Sequence, residues 1–203
     1  MIRILLIFLL LFPSIAFTLD SNKSSKTVTT NKSTEIAIVA GGCFWCVQSD
    51  FDKLDGVKET IVGYDGGFDK SITYEKVSSG KTPFVESIKI IYDPNKLSYS
   101  QLLDFFWVHI DPTNIDGQFC DRGKQYRTVI FYLNESQKKI AIASKEKIQK
   151  KFKGVYTEIV PSTHFVNAEE YHQKYYLKNP IQYTNYRNTC RRDARVKELW
   201  DAK

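Results

Sequence analysis

Gly41-Gly42-Cys43-Phe44-Trp45-Cys46 sets two cysteines one helical turn apart, behind a pair of glycines. The glycines follow a short apolar run and precede a segment of helical periodicity, so Cys43 falls where a strand turns into a helix. Unpaired backbone N–H groups and the helix dipole stabilise an anion at such a place. Cys43 is therefore expected to face solvent, to have a lowered pKa and to act as a nucleophile; the plainer alternative is a buried structural cysteine. The Cys43–Cys46 pair admits three readings: a thioredoxin-like redox motif, half of a zinc site, or a nucleophile with a resolving thiol close by. Redox motifs of the first kind usually carry small or turn-forming residues between the cysteines, and here Phe44 and Trp45 intervene. A zinc site would draw on Cys120 and Cys190, but neither has a partner cysteine at ligand spacing, so no metal is expected. Phe44 and Trp45 are either core residues or an apolar wall beside the reactive sulfur.

A second candidate is Glu86. In the β-rich segment from Val85 to Tyr92, alternation puts Glu86 on the face of Ile88, Ile90 and Tyr92. A carboxyl on an apolar face is desolvated and keeps its proton near neutral pH, as a general acid must. At the strand end, in water, it would be an ordinary carboxylate. The residues alone leave these two readings level.

The elements that must position these groups are readable from period and punctuation. Residues 35–40 form an apolar strand, and Cys43 to Leu54 a helix with Phe44, Val47, Phe51 and Leu54 on one face. Gly56 stops that helix. Strands follow at Val57–Tyr64 and Val85–Tyr92. Ser98 and Gln101 make a capping box for a helix to Ile110. Arg127–Leu133 is a central strand, Asn134 caps a Lys-rich helix to about Lys150, and Tyr156–Val160 is a further strand. The order of the first six elements is β-α-β-β-α-β. The expected fold is therefore α+β, a two-layer sandwich with a ferredoxin-like core and a wrapped C-terminal extension.

With 203 residues, 42% hydrophobic and 26% charged, the chain is long enough for one domain with a real core and is not of disordered type. Its only methionine is Met1. The first 18 residues read as an export signal: Arg3, the apolar run from Ile4 to Phe12, Pro13, and a small-residue cleavage site at Ser14-Ile15-Ala16. The run falls short of the ~20 residues that span a bilayer. The expected destination is periplasmic or secreted, with an uncleaved membrane anchor as the alternative. Residues 19–34 read as a flexible polar linker, and the domain as residues 35–203. The net charge of +6 gathers in the Lys-rich helix. No Arg or aromatic interleaving accompanies it, so a solvated face is expected and no nucleic-acid partner.

These residues are also similar to a known family. Gly42-Cys43-Phe44-Trp45 resembles the signature of the type A peptide-methionine sulfoxide reductases. Further blocks follow in order: Thr73-Tyr74-Glu75-Lys76-Val77, Ile110-Asp111-Pro112-Thr113, Asp121-Arg122-Gly123-Lys124-Gln125-Tyr126-Arg127, Ala168-Glu169-Glu170-Tyr171-His172-Gln173 and Lys178-Asn179-Pro180. The resemblance implies that Cys43 attacks the sulfur of the S epimer of methionine sulfoxide, free or in oxidised proteins. It implies that Phe44 and Trp45 hold the substrate methyl, that Glu86 protonates the sulfoxide oxygen, that Tyr74 and Tyr126 hydrogen-bond that oxygen, and that Asp121 orients the site. It implies no bound cofactor. Attack would leave Cys43 as a sulfenic acid, which a second thiol condenses to a disulfide. Cys46, Cys190 and Cys120 are the resolving candidates, in that order. A thioredoxin-like dithiol would then reduce the disulfide. A monomer is expected. The sequence departs from the family where many members have Gly in place of Cys46, and where Pro83-Phe84-Val85 replaces the common Gly-His-Ala before the acid. The rival readings are a disulfide oxidoreductase using Cys43 and Cys46 on protein thiols, and a non-catalytic module with two structural disulfides.

Overall fold

A computed structural model describes residues 34–201. The segment expected to be an export signal, and the expected linker apart from its last residue, lie outside the described residues. In chain order the elements are β1 (Glu35–Gly41), α1 (Phe44–Phe51), β2 (Val57–Asp65), α2 (Tyr74–Ser78), β3 (Val85–Tyr92), α3 (Tyr99–Trp107), β4 (Gly117–Gln118), β5 (Asp121–Arg122), β6 (Thr128–Tyr132), α4 (Glu135–Lys151), β7 (Glu158–Pro161), β8 (Val166–Asn167), α5 (Tyr175–Lys178), α6 (Pro180–Thr189) and α7 (Arg192–Trp200). Among the described residues no helix is long and apolar enough to cross a membrane.

The fold is mixed α+β around one mixed sheet, ordered β7-β6-β1-β3-β2-β8. Every neighbouring pair is antiparallel except β6 and β7, which are parallel. The parallel pair is reached through α4, as a parallel connection requires a crossover. Gln137 and Ser144 lie on the inner side of α4, and Ser144 accepts a hydrogen bond from the Trp107 indole at 3.1 Å. Most lysines of α4 lie on its outer, solvated side, as expected, while Lys145 turns in and donates to the Thr157 carbonyl at 2.7 Å.

Alternation sorts the strand residues between the two faces. Ala37, Val39, Val62, Ile88, Ile90 and Tyr92 join the main core with Val47, Phe51, Leu102, Leu103 and Phe106 of α1 and α3. Ile38, Ala40, Val85, Val129 and Phe131 pack on the other face. Each fully buried Phe or Leu of the main core contributes about 2–3 kcal/mol.

The capping box holds as read, with the Gln101 N–H donating to Ser98 Oγ and the Ser98 N–H to Gln101 Oε1. Asn134 caps α4 by accepting from the Gln137 N–H. Two expectations change. Helix α1 ends at Phe51, three residues early, and a turn carries the chain to Gly56, whose φ of +91° suits glycine. The sheet has six strands: the strand expected at Tyr156–Val160 forms one edge as β7, and the unexpected β8 forms the other. The short elements α2, β4, β5, β8 and α5, and the two C-terminal helices, were not readable from periodicity.

Candidate active site

Cys43 is the N-cap of α1. The turn that delivers it needs Gly42, which has φ +85° and leaves room for Gln118: a Cβ there would lie 2.6 Å from the Gln118 Cβ. The first free amide of the helix, Phe44 N–H, does not face open water. It donates to Glu86 Oε2 at 3.0 Å, joining the start of α1 to β3. Glu86 is only 2% exposed, so the reading of a solvated strand end fails. Desolvation pushes its pKa up to about 8, reinforced by the negative charge of Asp121 and opposed by the Phe44 amide. Near pH 7 the carboxyl is mostly protonated. With Oε2 engaged by the amide, Oε1 is free to carry that proton.

Cys43, Phe44, Trp45, Tyr74, Glu86, Asp121, Tyr126 and Tyr186 line one cleft of about 140 Å³, room for a single amino-acid side chain. All the residues expected to surround the nucleophile are therefore together. Tyr74 opens α2, and its N–H donates to Glu169 Oε1 at 2.8 Å. Tyr64 O–H grips the other oxygen of the same carboxylate at 2.7 Å. Tyr126 closes a one-turn 3₁₀ segment, Lys124–Tyr126. Burial and the charge of Glu86 raise both tyrosines, Tyr74 to about 12, so each remains a neutral donor at physiological pH. A larger cavity, about 360 Å³, lies outside Cys190 among Asp111, Phe119, Arg122 and Arg195. It has no free nucleophile.

The aromatic wall is locked from behind. Trp45 stacks on Tyr175 at 3.8 Å between centroids, and its indole N–H donates to His172 Nδ1 at 3.0 Å. Because Nδ1 accepts, the imidazole proton sits on Nε2. Burial holds His172 neutral, with a pKa of about 4. His172 thus anchors the tryptophan.

One expectation for the nucleophile is overturned. Cys43 is only 6% exposed, and its pKa is raised, not lowered. Desolvation is the main cause, followed by the hydrogen bond and charge of Cys46 and then by Glu86 and Asp121. Burial outweighs the helix dipole here. The hydrogen bond between the two sulfurs acts in the opposite sense on Cys46, whose pKa is lowered.

The three resolving candidates are divided. Cys120 and Cys190 are bonded to each other across 70 residues of sequence, whereas Cys43 and Cys46 are free. Neither Cys120 nor Cys190 stands as a thiol ready for Cys43; among the described residues Cys46 alone does. Cys120, Asp121 and Cys190 offer ligand atoms within 4.8 Å of one another, but sulfurs joined in a disulfide have no thiolate to give a metal.

Sequence reasoning missed Tyr186 and Glu169. Tyr186 lines the cleft with Cys43 and donates to Asp121 Oδ2 at 2.6 Å. It is held there by α6. The available signal was the spacing Tyr183, Tyr186, Arg187 and Cys190, which puts all four on one helical face.

Comparison with known proteins agrees with this geometry. The chain is 44% identical over 172 residues to the peptide methionine sulfoxide reductase MsrA of Bacillus subtilis, covering 83% of this chain and 97% of that one. The reduced form of Mxr1 from Saccharomyces cerevisiae superposes with a TM-score of 0.70 at 34% identity, over 73% of this chain and 87% of that chain. Mxr1 in complex with Trx2 matches with a TM-score of 0.52 at 26% identity, over 74% and 91%. The model of the family described as peptide methionine sulfoxide reductase matches residues 35–203, and the chain belongs to that family.

Proposed function

We propose that this chain reduces methionine sulfoxide to methionine, taking the S epimer either free or within oxidised proteins. One observation carries the reading: a free cysteine, a buried carboxylic acid and two neutral tyrosines converge on a cleft the size of one side chain. The substrate methyl rests on Phe44 and Trp45, a setting that suits a soft, apolar group. The oxygen points to Glu86, Tyr74 and Tyr126. Cys43 sulfur attacks the sulfoxide sulfur while Glu86 protonates the oxygen, which makes that oxygen able to leave. The oxygen passes to Cys43 as a sulfenic acid and the thioether departs. The cysteine sulfur is oxidised by two electrons and the substrate sulfur is reduced by two. Asp121 orients Tyr186 beside the reacting sulfur.

Cys46, hydrogen-bonded to Cys43, condenses with the sulfenic acid and expels water. A thioredoxin-like dithiol restores the thiols by exchange; the Trx2 complex of Mxr1 supports this choice. Because Cys43 and Cys46 are buried, the exchange runs as a relay: the Cys120 and Cys190 thiols take over the Cys43–Cys46 disulfide, and the dithiol then reduces the resulting Cys120–Cys190 bond through its exposed Cys120 sulfur. Direct exchange between Cys43–Cys46 and protein thiols is disfavoured, because both free thiols are buried.

The strand order β6-β1-β3-β2 supports a ferredoxin-like β-α-β-β-α-β core within the larger sheet. The apolar run of residues 4–12 supports export before the enzyme acts.

The test is a single turnover of the fully reduced protein with each epimer of methionine sulfoxide. The wild-type chain is expected to yield one methionine from the S epimer and none from the R epimer, and Cys43→Ser none from either. Equal methionine from Cys43→Ser and wild type would overturn the reading.

A further inference from the structure

Tyr74 has to aim its hydroxyl at the sulfoxide oxygen, yet among the described residues no side chain hydrogen-bonds that hydroxyl. The ring is therefore set from its flank and from its backbone. On the flank, the His172 imidazole packs against it at 4.4 Å between centroids. The backbone belongs to α2, which has only five residues, too few for a helix to hold itself in water. Its N-cap, Thr73, makes no side-chain hydrogen bond to the helix. The Tyr74 amide instead donates to Glu169 Oε1 at 2.8 Å, across 95 positions of sequence.

Glu169 is itself held. Tyr64, fully buried on β2, donates its O–H to Glu169 Oε2 at 2.7 Å. The chain on either side of Glu169 is fastened to the same strand. The Ala168 N–H donates to the Val62 carbonyl at 2.9 Å. Gln173 accepts from the Val62 N–H at 3.0 Å, and its own amide donates to the carbonyls of Val62 and Ala168 at 2.9 and 3.0 Å. One carboxylate, with a donor on each oxygen, thus ties a five-residue helix to the central sheet. His172 follows Glu169 in the next 3₁₀ turn and accepts from the Trp45 indole. Residues 169–172 therefore serve both walls of the cleft, Glu169 the side that meets the oxygen and His172 the side that meets the methyl.

We propose that Glu169 is a positioning residue for the reduction: by holding the Tyr74 backbone it sets the Tyr74 hydroxyl against the sulfoxide oxygen. This rests on the reaction proposed above. Glu169 is not among the residues that line the cleft, so its effect on rate runs through Tyr74. A misplacement of ~1 Å is enough to forfeit such an interaction.

A double-mutant cycle on first-turnover methionine formation tests this, with Glu169→Ala and Tyr74→Phe made separately and together. Glu169→Ala alone should slow the reaction roughly tenfold, as Tyr74→Phe does, in kcat more than in KM. The double variant should stay within about twofold of Tyr74→Phe, because without a hydroxyl to aim the carboxylate has no task left. Glu169→Gln keeps an oxygen for the Tyr74 amide and offers an N–H to the Tyr64 oxygen, so it should recover to within about threefold of wild type. Three results would each overturn the proposal: a Glu169→Ala rate within about twofold of wild type, a double variant about tenfold slower again than Tyr74→Phe, or a Glu169→Gln protein as slow as Glu169→Ala. If Glu169→Ala does not fold, Tyr64→Phe replaces it, since it frees one oxygen of the carboxylate and keeps the buried ring. It should cost about threefold, and nothing further in the Tyr74→Phe background; a full rate, or an equal loss in that background, overturns the proposal. The two levels stay distinct: a wild-type protein that forms no methionine ends the sulfoxide reading, whereas independent losses in the cycle end only the role of Glu169.

Discussion

Replacing Glu86 by glutamine keeps the size of the buried group and an oxygen that can accept from the Phe44 amide, but removes the proton. Its consequences run in opposite directions for activity and stability. The carboxyl has a folded pKa of about 8 against an ordinary 4.5. At pH 7 it is therefore roughly nine-tenths protonated and ready to act as an acid. Losing a positioned general acid costs roughly a hundred- to ten-thousandfold in rate. Stability follows from linkage. Because the folded pKa is raised, the favourable contribution is complete below the unfolded pKa and is lost as pH rises through the folded one. At about 1.4 kcal/mol per pKa unit, the wild-type protein loses on the order of 5 kcal/mol between about pH 4.5 and pH 8 from this group alone. The substituted amide does not titrate, so the Glu86→Gln variant gains on wild type by a similar amount over that window. Urea unfolding near pH 5 and again near pH 8.5 measures the difference, alongside first-turnover methionine formation. Parallel stability curves for the two proteins, or a first-turnover rate for Glu86→Gln within roughly threefold of wild type, would refute a buried protonated acid.

Four further outcomes are expected. Tyr74→Phe and Tyr126→Phe should each slow the first turnover by roughly tenfold, the loss of one hydrogen bond to a charge-bearing oxygen, without changing which epimer reacts; stopped-flow product analysis checks both. The wild-type rate should hold up to about pH 8 and fall above it as Glu86 ionises, a limb read directly from a pH–rate profile. His172→Ala removes the acceptor of the Trp45 indole and should raise KM for methionine sulfoxide more than it lowers kcat, since the methyl wall loosens while the acid and nucleophile stay put. Cys120→Ser opens the 70-residue loop closed by Cys190 and should cost up to about 4 kcal/mol in urea unfolding while sparing the first turnover.

The sequence carried most of what local periodicity can carry. The strand around Val129 and Phe131 is continuously apolar because it is buried on both faces, and that is visible without a structure. Alternation placed Glu86 with Ile88, Ile90 and Tyr92, and it is indeed buried on that side. The Gly-Cys-Phe-Trp signature and the ordered blocks after it named Asp121, and named Tyr74 and Tyr126, which no periodicity would have singled out from 12 tyrosines. What stayed hidden depends on distant partners. The charge state of Cys43 was misjudged because a helix start is local and readable, whereas the enclosure by Glu86, Asp121 and Tyr186 comes from residues 43 to 143 positions away. The Cys120–Cys190 bond has no local signature either, since both residues lie outside any regular spacing.

Arg192 of α7 reaches back across 151 positions to donate to the Gly41 carbonyl, and Tyr186 of α6 lines the cleft beside Cys43. Contacts of such sequence separation form slowly, because loop closure must precede them. Helices α6 and α7 therefore dock late, and until they do the cleft lacks its Tyr186 wall and the Asp121 carboxylate lacks that donor.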